Sequence, residues 1–234
     1  SLGLVGSEMC IRDRNNTNPN KVLLVSGGGS GHEPLHTGYI GQGMLDVACP
    51  GHIFTSPTPD QMIAAIEYCK PENGVLFIVK NYSGDVMNFE MAAEMISSEH
   101  KTILINDDAA VINSSYTEGR RGVAGTVIVE KVVGSLAEDG GELESCHRLG
   151  EKVNRNCSSI GVALTSCTIP AAGKTTFDIS ESDIEFGVGI HGEPGRKREK
   201  IRDADSIVGE MLQVIYKDFE DKNLALDASS EVLL

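Results

Sequence analysis

The chain has 234 residues, with 20 basic and 34 acidic side chains and a net charge of −14. This balance leaves no basic face for nucleic acid, and no apolar run reaches the roughly 20 residues that span a bilayer. Hydrophobic residues make up 40% of the chain, which excludes wholesale disorder. Six scattered cysteines without a CxxC pair indicate reduced thiols. We therefore expect an acidic cytoplasmic protein that binds neither nucleic acid nor membrane.

Both ends of the chain differ from the rest. Residues 1–14 (SLGLVGSEMCIRDR) show no periodicity and lack the basic start of a signal peptide, so we expect a non-native leader. The last residues, EVLL, read as the opening of an apolar strand. We therefore expect a first α/β domain over residues 15–156 and a second domain over residues 157–234 that is incomplete at its C-terminus.

Residues 21–156 alternate between apolar strands and amphipathic helices. Short apolar runs predict buried strands at residues 21–26, 74–80 and 102–106. Apolar residues at helical spacing predict helices at residues 58–70, 88–100, 120–137 and 142–156. Strands that are apolar throughout are typical of a parallel sheet covered by helices on both faces. The sequence therefore predicts an α/β fold.

The pattern changes after residue 156. Two strands are predicted at residues 159–168 and 184–190, without a helix between them, and an amphipathic helix is predicted at residues 205–219. This part of the chain therefore predicts a second, smaller α/β (α+β) domain.

The glycine-rich segment GGGSGHEP, residues 27–34, follows the first strand and is predicted to be a loop that leads into a helix. Its backbone N–H groups are a candidate cradle for an anion or a small polyol, and the alternative is a connection without a ligand. The segment continues as HEPLH, which formally matches the HExxH zinc pattern. Because Pro34 interrupts any helix that would place His32 and His36 on one face, we predict no metal site.

Polar segments also follow the second and third strands, namely KNYSGD (residues 80–85) and NDD (residues 106–108). Because ligands of open parallel sheets bind outside the carboxyl ends of the strands, we expect these segments and His32 to converge. There Lys80 can orient a hydroxyl or carbonyl group, and Asp85 can act as a general base or an acceptor. The alternative is that both are solvated loop charges.

One further histidine stands between glycines, in EFGVGIHGEPG (residues 185–195). A lone histidine is more often structural, but the flanking glycines leave the imidazole of His191 open to act as acid, base or nucleophile. Nearby, GKT (residues 173–175) imitates the end of a P-loop, but Thr168 stands where GxxxxGK[ST] requires glycine. We therefore predict no nucleoside triphosphate site in this chain.

Six segments in order resemble the substrate-binding K subunit of dihydroxyacetone kinase: SGGGSGHEP, GYIGQGML, FTSPTPDQM, VKNYSGD, GRRGVAGTV and GVGIHGEPG. The resemblance implies a two-domain α/β homodimer that holds dihydroxyacetone. It implies that the histidine of GIHG, here His191, bonds to the substrate carbonyl as a hemiaminal. It further implies that His32 and Asp85 serve proton transfer and orientation, and that the triose hydroxyls are bound by Gly29, Ser30, Gly31, His32, Lys80 and Asp85.

The resemblance also implies a partner, because the K subunit binds no nucleotide itself. A separate L subunit or domain carries ADP as a relay fed from phosphoenolpyruvate, or uses ATP, in each case with Mg²⁺. The segments ACPGHIFTSPTPD and PAAGKTTF favour the phosphoenolpyruvate branch, and the use of other trioses stays open. We expect a phosphotransferase with an alcohol acceptor. The alternative is a non-catalytic paralogue that binds dihydroxyacetone as a transcriptional co-regulator, but the four residues His32, Lys80, Asp85 and His191 together favour the enzyme.

Overall fold

The structure of the chain, a computed structural model, describes residues 2–4, 10–13, 18, 20–111, 119–169, 172–224 and 226–233. The chain divides into two units, one formed by residues 1–106 and 121–155 and the other by residues 107–120 and 156–234. The domain boundaries expected after residues 14 and 156 stay predictions.

A six-stranded sheet forms the centre of the first unit. Its strands are β1 (Leu2–Leu4), β2 (Cys10–Asp13), β3 (Leu23–Ser30), β4 (Val47–Ile53), β5 (Val75–Lys80) and β6 (His100–Ile105). Across the sheet the order is β1-β2-β4-β3-β5-β6, in which β4, β3, β5 and β6 are parallel and β1 and β2 are antiparallel. The predicted parallel sheet is confirmed. β1 and β2 lie in the segment left out of the predicted fold, and β2 pairs with β4, a long-range contact that local periodicity does not reveal.

Four helices cover the two faces of this sheet: α1 (Pro59–Cys69), α2 (Ser83–Met95), α3 (Gly125–Glu138) and α4 (Leu143–Arg155). Alternate residues of β5 lie on opposite faces of the sheet. Val75, Phe77 and Val79 pack with residues of α1 and α2, whereas Leu76 and Ile78 pack with residues of α3 and α4. The predicted α/β class is therefore confirmed, with a strand that is apolar throughout because both of its faces are buried.

The predicted start of two helices is wrong. α2 begins at Ser83, not at residue 88, so Asp85 lies in the first helical turn, where a carboxylate faces the positive end of the helix dipole. Its apolar face, with Phe89 and Ala92 buried, is as predicted. α3 begins at Gly125, not at residue 120, and residues 112–118 lie outside the described part of the chain.

The predicted glycine-rich loop is wrong for residues 27–30, because β3 continues to Ser30, whereas residues 31–34 form turns. The partner of β3, strand β4, was not predicted, since it contains Pro50 and Gly51, which are depleted in strands. A Cβ atom on Gly27 would lie 2.5 Å from the carbonyl oxygen of Cys49, so the two strands can pair this closely only because glycine is present. The helix predicted after Pro34 is also wrong, because residues 31–39 form turns and one short 3₁₀ turn at Thr37–Tyr39.

The second unit contains short strands and one long helix. β7 (Val162–Ala163), β10 (Asp183–Phe186) and β11 (Lys197–Lys200) form an antiparallel sheet, and β8 (Thr168–Ile169) pairs with β9 (Lys174–Thr175). The strands predicted at residues 159–168 and 184–190 are shorter than expected, because within these ranges only residues 162–163, 168 and 184–186 lie in strands. The predicted helix is α5 (Ala204–Asp221), whose N-cap Asp203 accepts a hydrogen bond from the backbone of Ser206. Within the described residues, no helix combines the length and apolar character needed to cross a membrane.

Candidate functional site

The structure brings Lys80 and Asp85 together at the carboxyl end of β5. Lys80 is the last residue of that strand, and Asp85 lies in the first turn of the helix that follows it. The Lys80 Nζ atom is 3.8 Å from Oδ2 of Asp85, and both residues are almost fully buried. The alternative of two solvated loop charges is therefore wrong. Oδ1 of Asp85 is also buried and has no hydrogen-bond partner among the described residues, which leaves an acceptor available.

Lys80 also contacts a histidine, His36, and the sequence did not predict this contact. The Lys80 ammonium group lies 2.7 Å from Nε2 of His36 and 3.4 Å from the carbonyl oxygen of Gly27. Space for this contact exists only because residue 28 is glycine, since a Cβ atom there would lie 2.4 Å from the Lys80 Nζ atom. Burial lowers the pKa of Lys80, and the carboxylate of Asp85 opposes this effect.

The other side of the His36 ring meets Ser26 and Glu130. Its Nδ1 atom lies 3.0 Å from the Ser26 hydroxyl oxygen and 3.1 Å from Oε1 of Glu130. Burial lowers the pKa of His36 well below its usual value, and the Lys80 charge acts in the same direction. Burial also raises the pKa of Glu130 to about 8. Ser26, Lys80, His36 and Glu130 therefore form a buried polar cluster on the sheet face that α3 covers.

The segment that carries His32 packs closely against the chain after β4. A Cβ atom on Gly29 would lie 2.6 Å from the backbone nitrogen of Thr55, and one on Gly31 would lie 2.7 Å from the ring of Phe54. The His32 ring is 4.9 Å from the Phe54 ring. The glycines thus allow the backbone of residues 29–31 to approach Phe54. Gly27–Ser30 pair with β4 as a strand, and the cradle of backbone N–H groups stays a prediction.

Backbone and hydroxyl contacts fix the rest of this segment. The Ser30 hydroxyl donates to the carbonyl oxygen of Gly51 at 2.7 Å, and the Gly31 N–H donates to the carboxylate of Glu33. Gly31 has a φ of +106°, which glycine adopts readily and other residues rarely do. His32 and His36 lie in turns, so they do not share a helix face as HExxH requires. Among the described residues, no group of three or more His, Cys, Asp or Glu is arranged to hold a metal.

His191 belongs to the second unit, where Glu193 orients it. Nδ1 of His191 lies 3.0 Å from Oε1 of Glu193, and the other oxygen of this carboxylate accepts the His191 backbone N–H at 2.9 Å. Burial raises the pKa of Glu193, but its hydrogen bonds with His191 outweigh that effect and hold the pKa at about 2. Glu193 is therefore a carboxylate at all ordinary pH values. The His191 side chain is 31% exposed, so a solute can reach it.

Comparison with known proteins identifies the family. A family model described as the Dak1 domain matches residues 2–234. The chain belongs to the Dak1 domain family. It is 54% identical over 198 residues to the "PEP-dependent dihydroxyacetone kinase, dihydroxyacetone-binding subunit DhaK" of Escherichia coli (strain K12), which covers 83% of this chain and 56% of that protein. The resemblance seen in the sequence is confirmed. This Dak1 chain spans less than two thirds of the length of the curated relatives it matches.

Two solved structures share the fold of this Dak1 chain. The "dihydroxyacetone kinase operon co-activator Dha-DhaQ" superposes with a TM-score of 0.84 at 33% identity, over 91% of this chain and 66% of that chain. The dihydroxyacetone kinase of C. freundii, in complex with AMP-PNP and Mg²⁺, gives a TM-score of 0.82 at 37% identity, over 89% of this chain and 39% of that chain. Kinases and a co-activator therefore both use this fold, so the fold alone does not decide between them.

The sequence held a signal for some of the residues that were missed. Glu130 stands three residues before Val133 and seven before Ala137, so it lies on the buried face of α3, where an unpaired carboxylate is unusual. Glu193 lies inside the GIHGEPG segment, but its role as the partner of His191 was not predicted. In the sequence, His36 stands out only as part of the rejected zinc pattern.

Proposed function

We propose that this chain is the dihydroxyacetone-binding subunit of a dihydroxyacetone kinase, which holds the triose while a partner delivers the phosphoryl group. The observation that carries the proposal is the pair formed by His191 and Glu193, which sets the tautomer of the imidazole. A neutral His191 that donates its Nδ1 proton to the Glu193 carboxylate has the lone pair on Nε2. Nε2 is thus the nucleophilic atom, and it lies on a side chain that is partly exposed.

This lone pair adds to the carbonyl carbon of dihydroxyacetone. A bond forms between Nε2 and carbon, the π electron pair of the carbonyl moves to oxygen, and that oxygen takes up a proton. The ring becomes positively charged, and the adjacent Glu193 carboxylate stabilises that charge. The product is a hemiaminal, which fixes the triose for transfer to its terminal hydroxyl. Glycerol has hydroxyl groups but no carbonyl, so it is not held in this way.

Lys80 and Asp85 are polar groups that suit the triose hydroxyls. The Lys80 ammonium donates hydrogen bonds, and the buried Oδ1 of Asp85 accepts one. Gly29, Ser30 and Gly31 contribute backbone contacts. His32 accepts the proton of the hydroxyl that is phosphorylated, with Asp85 assisting orientation and proton transfer.

The phosphoryl group comes from a nucleotide-binding L-type partner. The E. coli relative at 54% identity is named PEP-dependent, whereas the kinase described with AMP-PNP and Mg²⁺ is 37% identical. This supports phosphoenolpyruvate as the ultimate donor, with ADP and Mg²⁺ on the partner. The subunit acts as a homodimer in the cytoplasm, where the five cysteines with described side chains, none of them in a disulfide, stay reduced.

The test is formation of dihydroxyacetone phosphate in a coupled assay. The purified chain is incubated with dihydroxyacetone and with ATP and Mg²⁺ alone, then with an ATP-type L partner, then with an ADP-loaded L partner and its phosphorylated donor protein. We expect no product with ATP alone and product with the ADP-loaded partner. Product without any partner would contradict the division of labour, and product only with the ATP-type partner would contradict the choice of donor.

A second candidate function is that of a dihydroxyacetone-binding co-regulator. The observation that favours it is the TM-score of 0.84 with the operon co-activator. The same assay separates the two functions, because a co-regulator binds dihydroxyacetone but forms no phosphate with any partner. The higher identity to the kinase subunit, 54% against 33%, supports the enzyme.

A further inference from the structure

The position of the Lys80 ammonium group is set by a contact that the proposed reaction does not use. Its nearest polar neighbour is Nε2 of His36 at 2.7 Å, whereas Oδ2 of Asp85 at 3.8 Å is beyond hydrogen-bond distance. A lysine side chain has four rotatable bonds, so an ion pair at this distance does not fix where the charge points. The hydrogen bond to His36 fixes the direction of the ammonium group.

We propose that His36 is a positioning residue for Lys80. A neutral imidazole with its proton on Nδ1 accepts a hydrogen bond from the ammonium through Nε2 and holds it in the space beside Gly28. The proposal rests on the proposed function, in which Lys80 binds a triose hydroxyl. An ammonium group has three N–H donors, so the bonds to Nε2 of His36 and to the carbonyl oxygen of Gly27 leave one donor for a ligand oxygen.

The hydrogen bonds around the ring determine which tautomer it adopts. The Ser26 hydroxyl donates its only proton to the carbonyl oxygen of Ile78 at 2.6 Å. Toward His36 the Ser26 oxygen must therefore accept, so the proton lies on Nδ1. Oε1 of Glu130 is a second acceptor for that proton at 3.1 Å, as the carbonyl oxygen of a carboxyl group whose own proton is on Oε2. With Nδ1 protonated, Nε2 of a neutral ring carries the lone pair that faces Lys80.

A neutral acceptor suits this place better than a charged one. A second carboxylate beside Lys80 would compete with Asp85 for the ammonium charge, and a second cation would repel it. Imidazole without a charge directs the ammonium but leaves its pairing with Asp85 unchanged. Burial favours this neutral form, because His36 is only 4% exposed.

The first experiment uses the unmodified chain and needs no triose. Nitrogen NMR of ¹⁵N-histidine-labelled protein at neutral pH reports which ring nitrogen of each histidine carries a proton, and the signals of His36 are assigned by their loss in His36→Gln. We expect a protonated Nδ1 and an Nε2 with a lone pair. A proton on Nε2, in the other tautomer or in a charged ring, would overturn the proposal.

The second experiment compares two substitutions of the same residue. Glutamine places an amide oxygen where Nε2 stands, so His36→Gln keeps an acceptor for Lys80, whereas His36→Leu removes it. We expect the triose dissociation constant to rise roughly 10-fold to 100-fold in His36→Leu and by less than about threefold in His36→Gln. The control is His100→Gln, at the exposed start of β6, which should leave the dissociation constant unchanged. Unchanged affinity in folded His36→Leu, or equal losses in both variants, would overturn the proposal.

A third measurement separates failure of this proposal from failure of the proposed function. The Lys80 ammonium protons, assigned by their loss in Lys80→Met, should exchange with water faster in His36→Leu than in His36→Gln. This holds whether or not the chain binds dihydroxyacetone. Equal exchange rates in the two variants would show that His36 does not hold the ammonium group. Absence of triose binding by the unmodified chain would contradict the proposed function alone.

Discussion

Oε1 of Glu130 lies 3.1 Å from Nδ1 of His36, although 94 residues separate the two in the chain. The contact joins a helix to the segment that follows β3, and Glu130 is fully buried in it. Burial raises the pKa of Glu130 to about 8, so this carboxyl group keeps its proton through neutral pH. The buried polar cluster of Ser26, Lys80, His36 and Glu130 therefore adds no negative charge to that of the neighbouring Asp85.

This raised pKa makes the stability of the protein depend on pH. Between pH 4.5, the ordinary carboxyl value, and about 8, the folded chain holds a proton on Glu130 that the unfolded chain has lost. Stability from this group is therefore complete below pH 4.5 and is lost as the pH rises toward 8, at a limiting slope of about 1.4 kcal/mol per pH unit.

Glu130→Gln should remove that dependence. We expect the free energy of unfolding of Glu130→Gln, relative to the unmodified chain, to increase as the pH rises from 5 to 8, measured by urea unfolding at several pH values. Glu151→Gln, on the exposed side of α4, controls for the loss of one negative charge from an acidic protein. A difference between Glu130→Gln and the unmodified chain that does not change with pH would contradict the assignment.

Substitution of Gly28 tests whether ligand binding depends on the space around the Lys80 ammonium group. A Cβ atom at this position would lie 2.4 Å from the Lys80 Nζ atom, which is the far end of a flexible side chain. Gly28→Ala should therefore displace the ammonium group but leave the chain folded, and weaken dihydroxyacetone binding roughly 10-fold. Gly209→Ala is the matched control, because nothing lies within 4 Å of the added atom in α5.

The control should gain stability by no more than about 1 kcal/mol, because alanine is a better helix former than glycine, and it should bind the triose normally. Isothermal titration calorimetry of both variants measures the affinity. Normal binding by Gly28→Ala would show that the position of Lys80 is unimportant for the ligand.

His32 is assigned to proton transfer and not to holding the triose. His32→Ala should therefore lower kcat in the presence of the L-type partner by roughly 10²–10⁴-fold, while the covalent adduct stays observable. The coupled assay measures the loss of kcat, and a mass measurement on the same preparation shows whether the covalent adduct persists. Turnover near that of the unmodified chain would reduce His32 to a residue of the turn after β3.

The sequence was sufficient for the α/β class and for placing Lys80 and Asp85 at the carboxyl end of a strand. Apolar strands reveal a sheet buried on both faces, and the carboxyl end of a strand places its last residue beside the start of the next helix. It was not sufficient for the path of Gly27–Ser30. Whether glycines extend a strand depends on the neighbouring strand with which they pair. That strand, β4, is hard to predict from the sequence because it contains Pro50 and Gly51.

The same reasoning explains which site residues were missed. His36 acquires its role only through contacts with residues distant in the chain, so no local pattern distinguishes it. Glu130 is marked by its place on the buried face of α3, but its partner His36 lies 94 residues away. Glu193 is different, because it lies two residues from His191 and bonds to both its ring and its backbone. A short-range acceptor for a candidate nucleophilic histidine is a signal that the sequence does contain.

The central claim is that His191 carries dihydroxyacetone as a hemiaminal, and ¹³C NMR with triose labelled at the carbonyl carbon tests it together with intact mass measurement. We expect a protein-bound tetrahedral carbon and a mass increase equal to the whole triose, because addition to imidazole loses no water. Both signals should persist in Lys80→Met, weaken in Glu193→Ala and vanish in His191→Ala. An adduct that has lost one water and vanishes in Lys80→Met would indicate an imine on lysine, and an adduct that persists in His191→Ala would contradict the account.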